Sequence, residues 1–219
     1  MPEVGLAQTF HPFANALARA TIYGALVSVL LLVGILYAAA NSDYTTQVRV
    51  VRPQPVDFSH QHHVAGLGLD CRYCHSSVET SSFAGLPATE VCMNCHSQIW
   101  SDSPKLEPVR ESFRTGRPLA WTRVTDLPDF VHFEHSIHVQ KGMACTECHG
   151  QVDTMPLTWR ARTLQMRWCL DCHRTTEDHV RPRNDVFLSR SDEPAPAERD
   201  ELASKYRLRH PTDCSACHY

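Results

Sequence analysis

The sequence predicts a mostly irregular and helical protein: one apolar N-terminal helix, then a loop-rich domain of short helices. Three observations carry that reading. Residues Ile22–Ala40, IYGALVSVLLLVGILYAAA, hold no charge. Fourteen prolines break up the rest of the chain, so no long periodicity survives. All ten cysteines fall into five copies of one short pattern, which demands a tight turn at each copy.

The apolar run is long enough for one membrane-spanning helix, with Ala14–Ala20 adding mostly apolar residues before it. The rival reading is a cleaved signal peptide with Ala38-Ala39-Ala40 as processing site. The run exceeds the usual apolar core of a signal peptide, so we expect a retained anchor within residues 1–40. Arg19 precedes the run and Arg49 and Arg52 follow it, so basic residues alone do not orient it. A net charge of −3 gives no general attraction to nucleic acid.

The repeated pattern is Cys-x-x-Cys-His: Cys71/Cys74/His75, Cys92/Cys95/His96, Cys145/Cys148/His149, Cys169/Cys172/His173 and Cys214/Cys217/His218. This is the attachment signature of covalent c-type haem. On a helical turn the first, fourth and fifth residues share one face. Both thiols can then bond one porphyrin while the histidine reaches its iron as proximal ligand. Zinc ribbons need two cysteine pairs per metal and no adjoining histidine, and a disulfide framework would not fix the histidine. Five covalently bound haem c groups are therefore expected. Bacterial c-haem attachment takes place outside the cytoplasmic membrane. That puts the domain after Ala40 in the periplasm, on a single-pass anchor in the inner membrane with its N-terminus inside.

Residues 41–57 read as a linker and 58–219 as the haem domain, in which macrocycles supply much of the buried apolar surface. GLPATEVCMNCHSQIW reads as a turn into a short helix, with Pro87 and Thr89 before the cysteines. The one plausible strand is Gln47–Val51, QVRVV. An internal repeat organises the domain: FSHQHHV (Phe58–Val64) resembles FEHSIHV (Phe133–Val139), and two haem motifs follow each. The modules are 58–96 and 133–173. The fifth motif sits on an extension, residues 202–219, after the acidic stretch Ser189–Glu201, which reads as a solvated loop.

Low-spin haem iron takes a second axial ligand, usually histidine or methionine in electron-transfer cytochromes. His60 and His63 are three apart, as are His135 and His138, and such pairs project in neighbouring but distinct directions. They are the candidate distal ligands for four irons, each pair serving two haems. The fifth distal position is open to Met166, Met155, His179 or His210. His11 reads as interfacial, while His62 and His132 flank better candidates and read as spectators.

Over longer strings, GLGLDCRYCHSSVE, LPATEVCMNCHSQIW, LPDFVHFEHSIHVQKGMACTECHG and LQMRWCLDCHR resemble the pentahaem, membrane-anchored cytochrome c subunit of bacterial alternative complex III. The resemblance runs from about Val56 to His173. It implies an electron-transfer subunit, not itself an enzyme, in a quinol-oxidising respiratory complex that passes electrons to a periplasmic cytochrome or terminal oxidase. It also implies partner subunits: an iron–sulfur subunit, polytopic quinol-oxidising subunits and a monohaem cytochrome. It favours methionine at the fifth iron, Met166 before Met155. A self-sufficient, membrane-anchored quinol dehydrogenase feeding a periplasmic reductase is the alternative. A catalytic multihaem reductase needs a vacant iron position, which five intact motifs and abundant spare ligands argue against.

Overall fold

The computed structural model describes residues 10–11, 13–189 and 193–219. It divides into two compact units, one ending at Thr46 and the other spanning Gln47–Tyr219. The first holds α1 (Phe13–Ala40) and the short α2 (Asp43–Thr46). No residue of α1 is buried, and it has 28 residues, about 42 Å at the usual helical rise, enough to cross a bilayer's hydrocarbon core. Its few polar side chains serve its own backbone: the Ser28 hydroxyl donates to Gly24 O at 2.8 Å. At its end the Asn41 side chain donates to Tyr37 O at 2.8 Å.

The second unit carries α3 (Cys71–Cys74), α4 (Thr89–His96), α5 (Glu107–Thr115), α6 (His135–Gln140), α7 (Cys145–His149), α8 (Met166–Arg174), α9 (Pro196–Tyr206) and α10 (Cys214–Cys217). Gln61–Gly66 forms one π-helical turn. Among the described residues there is no sheet. The expected strand at Gln47–Val51 resolves into two isolated bridges, Val48 to Arg160 and Val51 to Trp159. Its backbone explains this: Gln47 and Arg49 adopt φ of 58° and 59°, which interrupts the extended alternation.

The helix expected around Thr89 forms, and its polar start is internally satisfied. Buried Thr89 Oγ1 pairs with Ser112 Oγ of α5 at 2.7 Å. Part of the expected solvated loop also proves helical, since α9 starts at Pro196; Arg190–Asp192 lie outside the described residues. Pro196 begins the helix with its φ already helical, and Glu198 sits favourably in the first turn. One turn apart, Leu202 and Tyr206 then bury against Val180.

Apart from such contacts the interior is thin. Two clusters, Val78/Val139/Val186 and Val180/Leu202/Tyr206, contain most of the fully enclosed apolar side chains. A unit this long would ordinarily bury a larger continuous core.

Candidate haem-binding sites

Each motif occupies one short helical turn: α3, the end of α4, α7, α8 and α10. Numbered along the chain, the sites are 1 (Cys71–His75), 2 (Cys92–His96), 3 (Cys145–His149), 4 (Cys169–His173) and 5 (Cys214–His218). The turns begin cleanly. Asp70 caps site 1 by accepting from Arg72 N at 2.8 Å.

Three of the motif histidines share one pattern of anchoring. His75 Nδ1 bonds Gly85 O at 2.7 Å, His96 Nδ1 bonds Ile99 O at 2.9 Å and His218 Nδ1 bonds Phe130 O at 3.3 Å. The paired histidines between motifs do the same. His63 Nδ1 bonds Ser59 O at 2.8 Å, His135 Nδ1 bonds Ser82 O at 2.7 Å and His138 Nδ1 bonds Glu134 O at 2.7 Å. His60 Nδ1 meets Thr158 Oγ1 at 2.9 Å. A carbonyl partner requires the proton on Nδ1 and leaves Nε2 as a bare donor to metal. His173 departs from the pattern, its Nδ1 being buried without a partner.

These rings face one another in pairs. Ring centres are 6.2 Å apart for His63 and His96, 6.3 Å for His135 and His149, and 6.1 Å for His138 and His173. Imidazole–metal bonds of about 2.0–2.1 Å on both sides of one ion place ring centres roughly 6 Å apart. All three pairs therefore fit an iron held between them. His60 falls beside His75: burial pushes its pKa down to about 4, with the nearby His75, His63 and His149 acting the same way. Burial likewise lowers His149 to about 4, helped by His135 and His75. Both rings are neutral at ordinary pH, the form that binds metal.

The repeat has a further shared part. Phe58 stacks on His63 at 4.5 Å and 24° and meets His60 edge-on at 5.0 Å and 88°. Phe133 stacks on His138 at 4.7 Å and 24° and meets His135 edge-on at 4.7 Å and 89°. One phenyl ring thus sets both histidine planes in each module. The sequence repeat contained these phenylalanines, but only their ring geometry shows the task. The supporting carbonyls of Gly85, Ile99 and Ser82 had no sequence signal, because every residue has a carbonyl.

Site 5 is built differently. Its His218 ring stacks on Phe130 at 5.7 Å. Met155 is enclosed, only 2% exposed, whereas Met166 at the start of α8 is 64% exposed. His179 and His210 are engaged elsewhere: His179 Nδ1 lies 3.2 Å from Glu147 and His210 Nε2 lies 3.1 Å from Glu177. His62 stacks with Trp100 at 6.1 Å, and His11 with Phe13 at 5.2 Å. His132, read as a spectator, is brought against site 5, its ring 3.8 Å from that of Tyr219.

The thiols lie mostly in low-dielectric surroundings. Burial raises those of Cys74, Cys92 and Cys169, that of Cys172 to about 11 and that of Cys148 to about 12. Cys71 is lowered to about 7 by a hydrogen bond with the Cys145 thiol. Two thiols and an imidazole per site suit a thioether-bound porphyrin, which would supply one-electron exchange at its iron.

Comparison with known proteins agrees. Residues 131–219 match the family described as cytochrome c7 and related cytochrome c. The chain is 40% identical over 99 residues to the menaquinone reductase multihaem cytochrome c subunit of Nitratidesulfovibrio vulgaris (strain Hildenborough). That overlap covers 45% of this chain and 46% of the relative, so about half the length of that curated relative is spanned. Five attachment motifs give this chain sites for five haem c groups, and residues 131–219 are similar to cytochrome c7 and related cytochrome c.

Proposed function

We propose that this chain is the electron-relaying subunit of a membrane complex that exchanges electrons with the quinone pool. The observation that carries the relay reading is the set of three imidazole pairs spaced 6.1–6.3 Å apart. An iron held on both faces has no vacant position for substrate, which suits electron transfer and disfavours bond chemistry. His75, His96, His149, His173 and His218 act as proximal ligands. His60, His63, His135 and His138 act as distal ligands to sites 1, 2, 3 and 4.

At site 5 the distal ligand is Met166. It lies one turn before Cys169 on α8, so the two share a face. Cys217 of site 5 also contributes to raising the Cys169 thiol, so site 5 is a neighbour of this helix. Met155, by contrast, is packed beneath Gly150, its methyl carbon 3.9 Å from where a Cβ would stand.

The apolar α1 serves as a single-pass anchor in the inner membrane, with the haem domain in the periplasm. Ile22–Ala40 contains no carboxylate or histidine, so it offers neither group to exchange protons with a quinone. Quinone chemistry therefore belongs to partner subunits. We assign the direction of the named relative, towards menaquinone, in preference to the quinol oxidation implied by the resemblance to alternative complex III.

The test is purification of the intact membrane complex. Subunits that co-purify are identified by mass spectrometry, and electron flow from a reduced periplasmic cytochrome to a menaquinone analogue is followed optically. The purified chain alone should accept electrons without reducing the analogue. Reduction by the single subunit at the rate of the complex refutes the relay reading. Flow solely from quinol to cytochrome restores the quinol-oxidising direction.

A further inference from the structure

We infer that the five haem sites form one unbranched row whose order is 2–1–3–4–5, so that sites 2 and 5 are its two ends. This goes beyond the relay reading, on which its functional meaning rests, by naming each site's neighbours. Chain order would have placed site 1 at an end.

Sites 2 and 1 share the Phe58 turn: His63 faces His96 of site 2 at 6.2 Å, while His60 lies beside His75 of site 1. Their attachment helices also touch, Asn94 Nδ2 donating to the Tyr73 hydroxyl at 3.1 Å. Sites 1 and 3 hang from two successive carbonyls. Cys71 Sγ donates to Phe187 O at 3.6 Å, and Cys145 N donates to Val186 O at 3.1 Å. The distal turn of site 3 also rests on the loop after His75, with His135 Nδ1 on Ser82 O at 2.7 Å and Ser136 N on Ser81 O at 3.1 Å.

Sites 3 and 4 share the Phe133 turn, His135 facing His149 and His138 facing His173. Site 5 is pinned to the segment leading into that turn. Val131 bridges His218, and His132 N donates to Cys217 O at 2.8 Å. His210, just before the fifth motif, also meets Glu177, just after the fourth, at 3.1 Å.

Exposure agrees with the order. Of the ten cysteines, Cys95 of site 2 and Cys214 of site 5 are the exposed ones. An exposed aromatic stands at each end, Trp100 at 62% beside His62 and Tyr219 at 88% after His218. Partners that give or take one electron therefore approach at sites 2 and 5, and sites 1, 3 and 4 are interior.

Iron positions in the full-length, haem-loaded protein, located by electron cryo-microscopy, test the order directly. Nearest neighbours should be 2–1, 1–3, 3–4 and 4–5; an iron of site 2 lying nearest to that of site 3, 4 or 5 overturns the inference. A kinetic arm separates this from the relay reading. A photoreducing ruthenium label on Lys105→Cys, beside Trp100, injects electrons at the site 2 end. Reporter haems made high-spin by His60→Ala, His135→Ala or His138→Ala should fill in that order, the last more than tenfold later than the first. Arrival at site 4 before site 1 overturns the order, whereas irons in a row with no electron passage sink the relay reading and leave the order standing.

Discussion

The rings of His135 and His149 lie 6.3 Å apart and within 7° of parallel. His135 keeps that pose because Ser82 O holds its Nδ1 at 2.7 Å and Phe133 presses its edge at 4.7 Å. Ring, carbonyl and phenyl together fix a plane before any metal binds.

Removing that distal ring should therefore change one haem in five. In His135→Ala, the iron at site 3 loses a ligand and turns high-spin, while the other four remain low-spin. Electron paramagnetic resonance of the oxidised protein separates the two forms. A variant that stays fully low-spin would show that another side chain holds this position.

Phe133→Ala should act more gently, because the ring orients ligands without binding metal. Both His135 and His138 gain rotational freedom, so low-spin signals from sites 3 and 4 should broaden together. Sites 1 and 2, set by Phe58, should not move. Broadening confined to one site would contradict the shared role of the phenyl ring.

Gly142 gives a backbone prediction. Its φ is +81°, and a Cβ there would lie 2.4 Å from Arg181 O and 3.0 Å from Tyr206 Cε2. Gly142→Ala should cost about 2–4 kcal/mol, combining left-handed strain with a backbone collision. Gly116 is a control: its φ is +67°, but nothing lies within 4 Å, so alanine there should cost only about 1 kcal/mol. Denaturant unfolding followed by tryptophan fluorescence measures the difference.

The Glu147–His179 contact predicts a pH window. His179 is raised from 6.5 by its hydrogen bond to Glu147, and Glu147 is lowered from 4.5 by the same bond and by Arg181. The histidine's contribution is complete below 6.5 and fades as pH rises through its raised value. The carboxylate's is complete above 4.5 and fades as pH falls through its lowered value. Both act fully between those limits. His179→Gln should cost about 0.5–1 kcal/mol near pH 5.5 and almost nothing near pH 8.5, given partial exposure. Equal loss at both values would refute the ionic contribution.

How far these features were legible in the sequence depended on whether chemistry or geometry carried them. The haem motifs were legible because thioether attachment demands fixed residue types at fixed spacing. The His60/His63 and His135/His138 pairs were visible because they recur with the same phenylalanine before them. Helix α9 was not, since Ser189–Glu201 is charged and proline-containing, and its burial depends on Val180, distant in sequence. The QVRVV strand misled because alternation says nothing about the positive φ at Gln47 and Arg49. Backbone carbonyl partners stayed hidden for the same reason: they are set by folding and not by side-chain identity.

The final prediction concerns α1. The chain's described residues divide after Thr46, and the attachment motifs all lie in the second unit. Haem attachment needs export and the motifs; neither requires residues Phe13–Ala40 to remain. Replacing α1 with a cleavable export signal should give a soluble periplasmic protein. It should carry five haems by mass and keep the low-spin spectrum of the parent. It should also take electrons from a soluble reductant at an unchanged rate, within about twofold. What it should lose is coupling to quinone, because a freely diffusing domain no longer stays beside its membrane partners. Restoring membrane attachment through an unrelated single helix should recover part of that coupling. Full coupling in the soluble form would show that α1 adds nothing to assembly. Loss of haems despite export would instead give the helix a structural part in maturation of the second unit.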